Sequence, residues 1–231
     1  MTESSQKYRH EYKYVISAAE IPLLKNQVKA IMKPDPHAGA DGTYNIRSLY
    51  FDDYNNSCYY ENENGTDPRE KFRIRIYNHS SDRITLECKR KESGKTLKTS
   101  CPLTYEQADR LIKGLPLEEK VESAVLQKFV LKMNNSLLHP VTIVEYDRVP
   151  YIYKTGNVRV TFDTNICASS KTEDFFKDVI PKKPIMPAGH HLMEVKFDEF
   201  LPDFIYQSLN LGHFRQTTFS KFYLCRKFTL I

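Results

Sequence analysis

From residue 69 to residue 91, basic side chains fall at alternate positions. Lys71, Arg73 and Arg75 alternate with Phe72, Ile74 and Ile76, and Glu87, Lys89 and Lys91 alternate with Leu86 and Cys88. Successive side chains of a strand point to opposite faces, so each run has one apolar face and one charged face. The arrangement returns elsewhere. Arg9, Glu11 and Lys13 oppose Tyr12, Tyr14 and Ile16; Arg159, Thr161 and Asp163 oppose Val158, Val160 and Phe162; Glu194 and Lys196 oppose Met193, Val195 and Phe197. One such strand is the ordinary solvated side of a half-buried sheet. Repeated through several strands, the pattern offers another chemistry, in which guanidinium forks and ammonium point charges converge on an anion rich in acceptor oxygens.

Those rows need a scaffold. Residues 69–77 and 83–91 read as a hairpin around a polar turn at Asn78–Asp82, and Arg9–Ile16, Tyr44–Phe51, Leu97–Leu103, Val141–Arg148, Asn157–Asp163 and His191–Asp198 read as further strands. Ser17 to Glu20 and Thr104 to Gln107 have capping-box spacing and should each open a helix. The first helix carries Ile21, Leu24, Val28 and Ile31 on one stripe and ends at Pro34 and Pro36. The second is short and closes at Gly114 and Pro116. Leu117–Met133, Pro202–Leu211 and Thr217–Arg226 complete the helices, the last carrying Ser220 and Lys221. Residues 55–68 read as a polar excursion after a turn at Asp52-Asp53, and 168–190 as a loop. No internal repeat divides the chain, and a single domain over residues 1–231 is expected.

Composition narrows the function. The 231 residues carry 34 Lys and Arg against 29 Asp and Glu, a net charge of +5. So small an excess excludes a polycation, and any strong local field must come from segregated charges. The basic residues interleave with Glu, and no recognition helix or aromatic platform stands out, so nucleic acid is not the expected partner. Five Cys without a CxxC pair imply reduced thiols. Seven His without HExxH argue against zinc, and the adjacent His190 and His191 point apart on a strand. Gly94-Lys95-Thr96 matches the end of a phosphate loop, but Lys89 stands where the first glycine is required. The polar start is no signal peptide, and no apolar run approaches the roughly 18 residues of a membrane helix. A soluble, cytoplasmic protein of unknown oligomeric state is expected.

About eight mostly antiparallel strands with one polar face each, and helices with apolar stripes, predict an α+β fold. It is expected to be a closed antiparallel β-barrel tunnel with helices packed outside. Arg9, Lys13, Arg73, Arg75, Lys89, Arg148, Arg159 and Lys196 would then meet in the lumen beside Glu11, Glu87, Glu145 and Glu194. So many buried cations are costly unless an anion pairs with them. A chain of phosphates suits them, and the carboxylates would hold a divalent metal through oxygen ligands.

These residues resemble a known family. Arg9-x-Glu11-x-Lys13, Arg47-Ser-Leu-Tyr-Phe-Asp52, Arg73-x-Arg75, Leu86-Glu-Cys-Lys89, Glu145-Tyr-Asp-Arg148, Arg159, Glu194-x-Lys196 and Ser220-Lys221 look like the VTC domain. That domain is the catalytic part of the vacuolar transporter chaperone polyphosphate polymerase, within the triphosphate tunnel metalloenzyme superfamily. The resemblance runs from about Lys7 to Cys225. Related CYTH enzymes begin with Glu-x-Glu-x-Lys; Arg9 replaces the first Glu here, which favours the VTC branch.

The resemblance implies an ATP-dependent polyphosphate polymerase using Mn²⁺ or Mg²⁺. Lys13, Arg73, Arg75, Lys89, Arg148, Arg159 and Lys221 would handle phosphates. Arg9, Arg47, Tyr146, Lys196 and Ser220 would contact substrate, and Glu194, with Glu11 and Glu145, would hold the metal. Two other readings stay open: a tunnel triphosphatase hydrolysing ATP or tripolyphosphate, and a non-catalytic anion-binding module.

Overall fold

The computed structural model describes residues 7–118 and 121–230. Residues 1–6 of the polar start, residue 231, and residues 119–120 of the helix expected over Leu117–Met133 lie outside the described residues. In chain order the elements are β1 (His10–Ser17), α1 (Glu20–Ile31), β2 (Lys33–Pro34), β3 (Tyr44–Asp52) and α2 (Ser57–Glu63). There follow β4 (Arg69–Tyr77), β5 (Ser80–Glu92), β6 (Lys95–Leu103), α3 (Tyr105–Ile112) and α4 (Ala124–Ser136). The chain ends with β7 (His139–Tyr153), β8 (Val158–Ser169), β9 (Lys183–Pro184), β10 (His190–Phe197), α5 (Asp203–Ser208) and α6 (Lys221–Leu230).

The eight long strands form one antiparallel sheet in the order β1-β10-β8-β7-β3-β4-β5-β6, with β2 added to β7 and β9 to β8. The sheet curls strongly, but it is an open half-barrel and not the closed barrel expected. Its margins, β1 and β6, meet at one bridge, where Arg9 N donates to Thr96 O at 2.9 Å and Thr96 N to Arg9 O at 3.0 Å. Farther along, the free edge of β1 is already taken. Gln216 bridges Tyr14, and Thr217 N donates to Lys13 O at 2.8 Å, so β6 has no ladder to complete there.

Alternation decides which side chains go inside. On the convex face Leu49, Phe51, Phe72, Ile74, Ile76 and Leu86 pack against Leu111, Leu126 and Phe129 of α3 and α4. Val160, Phe162, Met193 and Val195 pack against Leu24 and Val28 of α1 and Ile205 of α5. Not every helix lies outside, however. Phe222 and Cys225 of α6 pack with Tyr50, Val144, Tyr146 and Leu192 on the concave face. The reason is electrostatic as well as apolar, because Lys221 at the start of α6 finds its carboxylates inside the curl.

Local chemistry accounts for most boundaries. Both capping pairs form: Glu20 N donates to Ser17 Oγ and Ser17 N to Glu20, and Gln107 N donates to Thr104 Oγ1 while Thr104 N donates to Gln107. The β4–β5 turn is tighter than expected, only Asn78 and His79, both at positive φ, which a two-residue hairpin turn of this type requires. The polar excursion contains α2, where Ser57 N donates to Asp53 at 2.9 Å and the amides of Cys58 and Tyr59 donate to the buried carboxylate of Asp52 at 2.9 and 3.1 Å. Helix α4 starts at Ala124 and not at Leu117. The last helix starts at Lys221 and not at Thr217, because residues 216–217 run along β1 instead. Among the described residues no helix is long and apolar enough to cross a membrane, and all five cysteines are free.

Candidate active site

The concave face holds a cavity of about 360 Å³. Strand β4 sends in Arg69, Lys71, Arg73 and Arg75, and its partner β5 sends Lys89 and Lys91. Lys13 comes from β1, Arg148 from β7, Lys196 from β10 and Lys221 from α6. Against these ten cations the wall has two carboxylates, Glu11 and Glu194. The excess of eight exceeds the net charge of +5 for the whole chain, so the remainder of the protein is net negative. The charges are segregated, and the positive share is turned inward.

Two further carboxylates support the wall from behind. Glu87 accepts from Arg73 Nε at 2.7 Å and from Lys98 at 3.1 Å, with Arg75 at 3.8 Å. Asp163, fully buried, is gripped by Arg148 through two bonds of 2.6 and 2.7 Å and by Lys221 at 2.6 Å. Arg75 Nε donates to Ser48 Oγ at 3.1 Å, and Arg73 Nη1 to the Tyr50 hydroxyl at 2.7 Å. These second bonds fix the guanidinium planes, which is what oriented anion recognition needs.

Within the cavity Lys221 and Lys196 approach Glu194 at 2.7 and 2.9 Å, and Lys89 approaches Glu11 at 2.8 Å. Burial alone would push Glu194 up, but Lys196, Lys221, Lys13 and Arg148 outweigh it and hold the carboxyl well below the usual range. Glu11 is depressed in the same way by Lys89, Lys196 and Lys13. Burial pushes the Lys13 ammonium down, and the nearby charge of Lys89 adds to that. Burial likewise opposes the charge on Lys221, yet Asp163 and Glu194 raise it above an ordinary lysine.

Compared with known families, residues 8–230 match the model of the VTC domain. The chain belongs to the VTC domain family. A search of curated proteins finds no match. Two solved structures share the fold of this VTC domain. One is a proposed adenylyl cyclase from Hippeastrum with a dominant triphosphatase activity, at a TM-score of 0.58 and 13% identity over 97% of each chain. The other is a proposed adenylate cyclase from Bacillus halodurans, at 0.54 and 13% identity over 94% of this chain and 96% of the other. At such identities the likeness shows the fold alone.

Of the residues singled out from sequence, the VTC domain brings Lys13, Arg73, Arg75, Lys89, Arg148, Lys196, Lys221, Tyr146, Ser220, Glu11 and Glu194 to one cavity. Four are elsewhere. Arg47 and Glu145 lie on the convex face and bind each other at 2.6 Å. Arg47 is almost fully buried and also donates to the carbonyls of Phe175, Lys177 and Asp178, while Glu145 takes Lys182 as well. Their side chains clamp the loop before β9 and do not reach the cavity. Arg159 shares the face of Asp163 but is bound by Asp35 and by the Tyr44 hydroxyl at 3.0 Å. Arg9 pairs with Asp198 at 2.7 Å and with the Asn157 carbonyl at 2.6 Å. The cavity also includes Arg69, Lys71, Lys91 and Tyr50, none of them in the sequence-derived site. Lys71 and Lys91 stand in the same alternating rows as Arg73 and Lys89, and that parity was the signal.

A divalent metal can be tested against the donors present. No group of three or more His, Cys, Asp or Glu gathers among the described residues, so the protein does not build a full cage. Glu11 and Glu194 project from adjacent strands into the same cavity, offset by two residues in the register. Two carboxylates lining the same cavity suit a hard divalent cation that takes one or two carboxylate ligands and completes its shell from phosphate and water. Glu145, on the convex face, takes no part.

Proposed function

We propose that this VTC domain is a metal-dependent polyphosphate polymerase, transferring the γ-phosphate of ATP to a growing inorganic polyphosphate chain inside the cavity. The observation that carries this reading is the ratio of ten cations to two carboxylates in one enclosed space. With Glu87 and Asp163 behind the wall counted as well, cations still exceed carboxylates by six (10 against 4), and an inward-facing excess of that size attracts a polyanion. Phosphoryl transfer asks for positioning and charge stabilisation more than for covalent help from the protein.

Arg73 and Arg75 clamp the triphosphate, their planes held by Glu87, Ser48 and Tyr50. Arg148 and Lys221, fixed on Asp163, bear on the transferring group. Mg²⁺ or Mn²⁺ held by Glu194 and Glu11 would supply further neutralisation of the phosphate oxygens. Lys13, Lys89 and Lys196 line the path of the polymer. A terminal oxygen of the acceptor attacks the γ-phosphorus, the bond to the β-phosphate oxygen breaks, and ADP leaves. Every protein group in this account is charge or dipole, so no side-chain nucleophile is required. The full chain acts as one unit on ATP and polyphosphate, without nucleic acid.

The Hippeastrum neighbour, with its dominant triphosphatase activity, favours a second reading in which water replaces the acceptor phosphate. Incubation with ATP and Mn²⁺ followed by gel electrophoresis separates the two. A ladder of long chains supports the polymerase. Free phosphate alone makes the protein a hydrolase, and unchanged ATP makes it a binding module.

A further inference from the structure

Lys71 and Lys89 are register partners on the β4–β5 ladder, so two ammonium groups stand directly opposite on the cavity side. Like charges in that relation repel. The two are not treated alike by the rest of the protein. Lys89 is neutralised by Glu11, with contacts of 2.8 and 3.0 Å. Among the described residues no carboxylate lies within salt-bridge reach of Lys71. Its acceptors are neutral, Asn62 Oδ1 of α2 at 2.6 Å and Ser220 Oγ at 3.4 Å, and its ammonium stands 4.8 Å from the centre of the Phe222 ring.

We propose that Lys71 is a further phosphate-binding residue of the cavity, one whose counter-ion is the substrate itself, so that a proton is taken up as phosphate binds. This rests on the reading of the cavity as a phosphate site. The charged and titratable groups around Lys71 bear it out. Burial disfavours the ammonium most, and Arg69 on its own strand, Lys89 opposite and Lys13 on β1 add repulsion; Cys58 and Glu61 of α2 act the other way without balancing them. The result is a lysine brought from 10.5 down to about 7. Near neutral pH it is therefore a mixture of free amine and ammonium. An arriving phosphate supplies the missing negative charge, raises the proton affinity of the amine and completes the ion pair. Arg73 and Arg75 are charged at all working pH values whether or not phosphate is bound, so they do not share this behaviour.

Calorimetric titration with sodium tripolyphosphate at pH 7, without metal, in buffers of differing ionisation heat, measures the proton directly. Wild-type protein should take up about half a proton per site more than Lys71→Arg, whose guanidinium is always charged. Lys71→Arg should bind within a few-fold of wild type, while Lys71→Met should bind about 10-fold or more weakly at pH 6 and lose the extra uptake. Equal uptake by wild type and Lys71→Arg, or undiminished binding by Lys71→Met, overturns the proposal. If wild type does not bind tripolyphosphate, the phosphate cavity falls and this inference with it. Binding with proton uptake but no product from ATP overturns the polymerase alone.

Discussion

Lys221, the first residue of α6, forms an ion pair with Asp163 of β8 across 2.6 Å, on a carboxylate that Arg148 already holds with two bonds. One buried anion thereby fastens a helix to the inner face of the sheet and aims two cations into the cavity. Asp163→Asn leaves both cations to share Glu194. The expected cost is about 3–5 kcal/mol, seen as a fall in Tm of about 10 °C. Saturating tripolyphosphate should recover part of that loss by binding the folded state. A Tm unchanged by the substitution would show that the carboxylate is not needed.

Arg75→Ala should spare the fold, because Glu87 keeps Arg73 and Lys98 as partners. Turnover of ATP should fall by about 100-fold or more, the scale of removing one preorganised donor from a developing charge. A kinetic assay alongside a circular dichroism melt separates the two effects. Wild-type rates in a folded Arg75→Ala protein would remove this residue from the mechanism.

Arg47 makes the contrasting case. Among the described residues no cation is more buried, yet it lies on the other side of the sheet. Arg47→Ala leaves Glu145 with Lys182 but without its buried guanidinium partner and frees three carbonyls of the loop before β9. Stability should therefore drop by about 3–5 kcal/mol. Tripolyphosphate affinity, measured well below the Tm, should stay within about two-fold. A selective loss of affinity with stability intact would return Arg47 to the phosphate site.

Acid should unfold the protein through its inward carboxylates. Glu11, Glu87 and Glu194 all have folded pKa values below their unfolded ones, because neighbouring cations outweigh burial. The stability they contribute is fully present above the unfolded value of 4.5 and is lost as the pH falls toward the folded values. Denaturant midpoints should therefore hold from pH 7 to about 5 and decline steeply below about 4.5. Glu194→Gln should make that decline shallower, and an unaltered slope would acquit the residue.

Much of this arrangement was legible from alternation. Lys71, Arg73 and Arg75 share a face by parity alone, as do Glu11 with Lys13 and Glu194 with Lys196, and the structure places each pair on the concave side. On strand β3 alternation sets Arg47 on the face of Leu49 and Phe51, and the structure keeps it there. The substrate contact expected of it comes from the family motif and not from parity. A strand buried on both faces offers no polar side to contradict that motif. Helix α2 escaped because its amides are capped by Asp52 from the end of the preceding strand, not by a residue at capping-box spacing. The failure of the sheet to close depends on residues 216–217 reaching β1 from some 200 positions away, a contact that no local pattern encodes.

That incomplete closure has a mechanical consequence. A sealed barrel has its girth dictated by strand number and stagger. Here the rim is a cuff buttoned at Arg9 and Thr96 by two hydrogen bonds, each worth roughly 1 kcal/mol. Undoing the button leaves the seven ladders between the eight long strands intact, so strand number and stagger do not by themselves fix the width of the bore. The ion pair of Lys89 with Glu11 then becomes part of what spans the seam.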